Sequence, residues 1–156
     1  MRLNAEIAAR PGNPAHYLTR GELYAKHEAW DLAEANFLLA AELAPTHPGL
    51  ARARGALALA QREPRAAREF LDAALVRDPR DATALVLRAR AHVALGSRPA
   101  AVDDLDAALA VIAAPPPELF LERAALLPPA DALRGLDAAI ARVGPSISLQ
   151  LRAITL

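Results

Sequence analysis

An all-α solenoid of stacked antiparallel helix pairs is the fold class that this 156-residue sequence predicts, and three observations carry the prediction. Pro11, Pro45 and Pro79 stand 34 residues apart, the kind of spacing that marks stacked structural repeats. Each period holds two helical patterns: Tyr17, Gly21 and Tyr24 share one face of the first, and Ala33, Phe37 and Ala40 share one face of the second. Side-chain size also recurs. Gly21, Gly55, Ala89 and Ala124 fill a small slot in the first helices, and Ala33, Ala67, Ala101 and Ala132 fill the matching slot in the second. Small residues at both places let paired helices approach closely, with Phe37, Leu71, Leu105 and Leu136 as the large core residues between them.

The elements follow in chain order. Leu3, Ile7 and Pro11 match the second helix of a preceding unit, so residues 1–13 form a half repeat. Full repeats span 14–47, 48–81 and 82–115; a proline that cannot continue the helix closes the first two, and Ala113 takes that place in the third. Ala58 and His92 stand where the first repeat has Tyr24. Trp30 falls in the turn into a second helix, where a ring packed on the hairpin core is expected. The repeat at 117–144 is four residues short, because Ala132 follows Ala124 by eight positions where the others use twelve. Pro128 and Pro129 enter at the deletion, and a shortened hairpin is expected there. Residues 146–156, SISLQLRAITL, match a first helix and bring the expected total to ten. Ile147, Leu149, Leu151, Ile154 and Leu156 leave that helix only a narrow polar strip. A cap over the last hairpin, a dimer contact and a cut from a longer array each account for it.

The run YLTRGELYAKHEAWDLAEANFLLAAELAP, residues 17–45, resembles a tetratricopeptide repeat (TPR): aromatic, Gly, Tyr, Ala, Phe, Ala and Pro stand at that family's offsets. The resemblance extends over nearly the whole chain. It implies a single TPR domain over 1–156, a right-handed superhelical α-solenoid whose first helices line a concave groove, and a protein or peptide as partner. Residues beside the buried stripe would face that groove: Leu18, Glu22 and Lys26, then Arg52 and Leu59, then Val86, Arg90 and Val93, then Leu121. Aliphatic anchors, with Arg52 and Arg90 to orient a carboxylate or carbonyl, suit an extended peptide or a helix. Chaperone-binding members of the family clamp a C-terminal carboxylate with lysine and asparagine. The corresponding slots here hold Leu18, Glu22, Ala53 and Leu87, so that activity does not carry over.

An arginine stands directly before each small slot: Arg20, Arg54, Arg88 and Arg123, with Arg152 before Ala153. Its aliphatic stem can lie against the hairpin while its guanidinium needs acceptors. The second helices offer them, since Asp72, Asp106 and Asp137 share one recurring slot and Asn36 and Asp104 lie in another. A ladder of pairs that sets register is expected; a row gripping an anionic partner is the functional alternative.

Composition narrows the function further. Eighteen basic and eighteen acidic residues balance to zero, which removes the electrostatic footprint of nucleic-acid and anionic-membrane binders. Neither partner is expected. The absence of cysteine excludes disulfides, thiolate nucleophiles and cysteine-ligated zinc. Lys26 is the only lysine and alanine the commonest residue, the usage of a GC-rich bacterial genome. No apolar run approaches the roughly 18 residues of a membrane span, so a soluble chain is expected. The start lacks the apolar core of a secretory signal, which places the protein in the cytoplasm, or in the periplasm if a signal was removed. HExxH, GxxxxGK[ST], GxSxG and GxGxxG are all missing. His16, His27, His47 and His92 are dispersed, and Asp103, Asp104 and Asp106 fit a solvated face or arginine partners. No enzyme activity, metal or cofactor is therefore expected. Two function classes stay open: an interaction scaffold that binds its partner in the groove, and an assembly or regulatory segment of a larger protein. The second would dock or self-associate through its terminal helices, including a homo-oligomer through 146–156.

Overall fold

The computed structural model describes residues 2–144 and 146–155. The side chain of Ile147 and all of Leu156, both counted above among the apolar residues of the terminal helix, lie outside the described residues. Within them the chain forms ten helices and no strand: α1 (Arg2–Ala9), α2 (Pro14–Lys26), α3 (Trp30–Leu43), α4 (Pro48–Ala60), α5 (Pro64–Arg77), α6 (Ala82–Ala94), α7 (Arg98–Val111), α8 (Pro117–Ala124), α9 (Pro129–Val143) and α10 (Ile147–Ile154).

Helix boundaries repeat because their chemistry repeats. Proline opens α2, α4, α5, α8 and α9, where its missing N–H costs nothing. Asn13, His47 and Asp81 occupy one slot of successive repeats, and each side chain accepts a backbone N–H of the helix it begins, from Ala15, Gly49 and Ala84 at 3.0, 3.1 and 3.0 Å.

The turn between paired helices also recurs. Glu28, Arg62 and Gly96 adopt left-handed φ values of 58°, 60° and 78°. The following N–H then reaches back five residues, from Ala29 to the Tyr24 carbonyl, Glu63 to Ala58 and Ser97 to His92, at 3.0, 2.8 and 2.8 Å. Only glycine takes this conformation without a Cβ penalty. Exposed Arg62 should therefore gain from replacement. Arg62→Gly is expected to add about 0.5–1 kcal/mol of stability, seen as a thermal midpoint about 1–4 °C higher by circular dichroism. An unchanged or lower midpoint rejects the idea that this turn is strained.

The hairpins α2–α3, α4–α5, α6–α7 and α8–α9 stack in chain order, with α10 on α8 and α9 and α1 on α2. The fourth hairpin departs from the others. Helix α8 has 8 residues where α2, α4 and α6 have 13, and its turn closes through Leu127 N–H to the Ala124 carbonyl at 3.2 Å before the proline pair.

Inside the stack, Phe37, Leu71, Leu105, Leu136 and Leu149 are the largest fully buried side chains. A side chain of that size contributes roughly 1.5–3 kcal/mol when removed from water. Trp30 packs half-buried against the first core, as do Tyr17 and Tyr24.

Candidate functional site

Because the first helices α2, α4 and α6 lie side by side, their outward faces form one surface. A hollow of about 450 Å³ opens there between α2, α4 and α6, with Glu22, Lys26, Ala53, Ala56, Ala60, Thr83 and Leu87 on its walls. Thr83 and Leu87 also belong to a second hollow of about 300 Å³ with Val86, Arg90 and Ile112. Arg90 in turn lines a third, of about 330 Å³, with Val93, Glu122 and Leu126. Shared walls make the three hollows one trough running from α2 to α8. Its floor is mostly alanine and leucine, and its charges are few and of both signs.

The residues expected to face a groove divide into three groups. Glu22, Lys26, Val86, Arg90 and Val93 line the trough. Leu18 is only 6% exposed, since α4 closes over it and its Cδ1 lies beside Gly49; Leu18 belongs to the first core with Leu50, Ala53 and Leu57. Leu59 and Leu121 are half-buried against the larger core instead. Arg52 is committed elsewhere: its Nη1 donates to Asp81 Oδ2 at 2.8 Å, while Asp81 Oδ1 caps α6, so Arg52 ties α4 to the start of the next first helix. Arg90 donates to both oxygens of Glu122 at 2.7 and 3.3 Å. This second pair is exposed and a partner's carboxylate can compete for it at small cost.

Ala56, Ala60 and Thr83 were not singled out from the sequence. They carry no charge and no bulk, yet the 34-residue period gives them away. Ala56 shares the slot of Glu22 and Arg90, and Ala60 that of Lys26.

The arginines that precede the small slots line none of these hollows and join neighbouring hairpins. Arg20 Nε donates to Asn36 at 2.7 Å and its Nη1 to Asn4 at 3.3 Å. Arg54 donates to Glu34 at 2.6 Å and lies over the Phe70 ring, 4.6 Å from its centroid. Arg88 forks onto Asp104 at 2.9 and 2.6 Å and reaches Asp72 at 2.8 Å. Arg123 donates to Asp106. Arg152 and Asp137 have no partner among the described residues, although the register places them as the next rung. The Asp104 hydrogen bonds, opposed by burial and reinforced by Asp72, push the Arg88 guanidinium above its usual range. His92 Nε2 stands 3.7 Å from Asp104 at the core edge. Among the described residues no three His, Asp or Glu side chains converge as metal ligands, and no helix is long and apolar enough to cross a membrane.

No protein-family model and no curated relative matches the sequence. Solved structures do match. TTC0263, a thermophilic TPR protein in Thermus thermophilus, aligns with 98% of this chain and 86% of its own at 20% identity and a TM-score of 0.76. YrrB, described as a TPR protein with an unusual peptide-binding site, aligns over 99% of this chain and 80% of its own at 19% identity and a TM-score of 0.70. A chain of the APC/C hetero-tetramer Cut9–Hcn1 gives a TM-score of 0.76 at 19% identity over 91% of this chain, which spans only 29% of that one. Stacked hairpins, recurring caps and these likenesses agree: the chain has the TPR fold, an all-α solenoid of helix pairs.

Proposed function

We propose that the protein is a non-enzymatic interaction scaffold whose trough holds an extended peptide or a helix of a partner protein. The observation that carries this reading is continuity: the first and second hollows share Thr83 and Leu87, the second and third share Arg90, and together they reach from α2 to α8. Apolar walls at Ala53, Ala56 and Leu87 offer burial to alternate side chains of a ligand. Arg90 and Lys26 supply orientation without imposing one charge on the whole channel. The peptide-binding site described for YrrB and the assembly described for Cut9 and Hcn1 are compatible with such a use of the fold.

The test is a peptide selection on the wild-type chain followed by binding to two variants. Ala56→Trp fills the largest hollow and Leu87→Glu places a charge on its wall, and neither residue belongs to the fully buried core. Each should weaken the selected peptides more than about tenfold while helix content stays unchanged. Undiminished binding to both variants rejects the trough as the site. Arg52→Glu would be a poor probe, because it sets like charge beside Asp81 and disturbs the cap of α6.

A second reading, docking or self-association through the terminal helices, is favoured by one observation. Leu151 and Ile154 on α10 are 58% and 81% exposed. Light scattering on the purified chain separates self-association from docking, since a concentration-independent monomer leaves only docking of another protein.

A further inference from the structure

We propose that α10 carries a docking face for an amphipathic helix of a partner protein, one in which a carboxylate directly precedes a large aliphatic residue. The proposal rests on the second reading above and names its partner; it is independent of the trough.

The internal hairpins show what such a face receives. Each first helix presents an arginine followed by a small residue, and the facing second helix presents two adjacent residues that fit them. A Cβ on Gly21 would lie 2.4 Å from Phe37 Cε1, and one on Gly55 2.6 Å from Leu71 Cγ, so the large side chain occupies the space a small residue leaves. Ala89 and Ala124, in the same slot, are 1% and 3% exposed. The residue just before each large one meets the arginine: Asn36 takes Arg20, Phe70 lies beneath Arg54, and Asp104 takes the fork of Arg88. In the fourth hairpin Gly135 leaves that place empty, and Arg123 Nη1 fills it, 2.9 Å from where a Cβ would stand.

Arg152 and Ala153 are the fifth such pair, and no following second helix among the described residues faces them; Ala153 packs at the edge of the larger core. Ala153 is only partly buried, and Arg152 is exposed with no partner among the described residues. The pair is nevertheless held in position. Leu149, one turn earlier in the slot of Tyr17, is fully buried, and α10 packs on both α8 and α9. A helix laid on this face would seat its large aliphatic side chain against Ala153 and give Arg152 an acceptor. Charge selects the carboxylate, since Asp104 is the one of the four equivalents that binds its arginine through two oxygens. The same register disfavours a second copy adding its own α1. Arg2 and Leu3 hold the places of Asp104 and Leu105 in sequence, which brings like charge to Arg152.

The protein supplies its own probe. A fluorescein-labelled peptide of residues 97–113 contains the Asp104–Leu105 pair on a helix of the required pattern and can be titrated with the full chain by anisotropy. Saturable binding is expected, and the Asp104→Arg peptide should bind about tenfold more weakly. Ala153→Trp in the chain should remove binding by filling the slot, with helix content checked by circular dichroism. Arg152→Glu should prefer the Asp104→Arg peptide, a reversal that a merely destabilised helix would not produce. Ala56→Trp in the trough should leave binding unchanged, which separates this face from the trough. The proposal is overturned if binding is indifferent to Ala153→Trp and to the charge exchange, or is lost in Ala56→Trp. It is also overturned, in favour of a second copy, if a peptide of residues 1–13 binds more tightly than that of 97–113.

Discussion

Arg88→Leu is expected to destabilise the chain by about 3 kcal/mol, the low end of the range seen when one member of a buried ion pair is removed, because Asp104 is buried while Arg88 itself is only partly so. The cause is Asp104, whose side chain is only 8% exposed and whose two oxygens both depend on Arg88. Without the guanidinium, His92 Nε2 at 3.7 Å is the one side-chain partner left to that carboxylate among the described residues. The loss also spreads, because Arg88 on α6 joins Asp72 on α5 to Asp104 on α7 and so couples consecutive hairpins. In a solenoid, where each repeat touches only its neighbours, weakening one junction should lower the midpoint and broaden the transition together. A fall of roughly 6 °C or more is expected for a chain of this size. Adding Asp104→Leu to Arg88→Leu should recover most of the loss, since an apolar pair leaves no uncompensated charge. A single variant within about 1 kcal/mol of wild type would reject the structural role and favour the arginine row as a ligand site. Proton linkage gives a further check. The folded state holds the Arg88 proton more tightly than the unfolded chain, so this contribution is complete below the unfolded value and fades only as pH rises through the folded one. That window lies above the normal arginine range, and the Arg88→Leu deficit should therefore stay constant between neutral and moderately alkaline pH.

How much of this was legible in the sequence depends on what the 34-residue period encodes. It encodes anything repeated in every hairpin: the small slots, the large residues opposite them, the prolines, and the arginines with acceptors at Asn36, Asp72, Asp104 and Asp106. Those features are local to one hairpin or one junction, so spacing alone places them. Partners that break the period are less visible. Arg54 uses Glu34 because Leu38 stands in the slot where other repeats have Asp72 and Asp106, and Phe70 beneath it accepts the guanidinium face in place of a carboxylate. Arg52 finds Asp81 beyond the whole of α5, 29 residues later, in a cap whose hydrogen-bonding role draws attention from its second oxygen. Trough membership depends on how successive hairpins lean on one another. Leu18, Arg52 and Val86 share one slot, yet Leu18 is covered by α4, Arg52 is held by Asp81 and only Val86 lines the trough. Sequence reading also favours residues with chemistry to offer, which is why Ala56 and Ala60 escaped notice although absence of bulk is their contribution.

Gly55→Val should cost about 3 kcal/mol or more, at the upper end for overpacking, whereas Gly55→Ala should stay within about 1 kcal/mol of wild type. The contrast follows from geometry. A Cβ on Gly55 would stand 2.6 Å from Leu71 Cγ and 2.9 and 3.3 Å from its two methyl carbons, so any side chain forces α4 and α5 apart. A separation sufficient for one methyl group is already realised elsewhere in the molecule, because Ala89 faces α7 and Ala124 faces α9 with Leu105 and Leu136 still fully buried. For alanine the shift is further offset by helix propensity, which favours Ala over Gly by about 1 kcal/mol inside a helix. Valine adds two branches that no hairpin here accommodates in this slot, and its stiff χ1 cannot rotate them away from Leu71. Urea unfolding of the three proteins measures the series. The order expected is Gly55 and Ala close together and Val far below; equal stability of Val and Ala would mean that helix spacing in this solenoid is set by something other than the small slot. Restoring room on the opposite helix distinguishes the two. Leu71→Ala combined with Gly55→Val should be less harmful than the sum of the separate changes, because the cavity left by one receives the branches of the other.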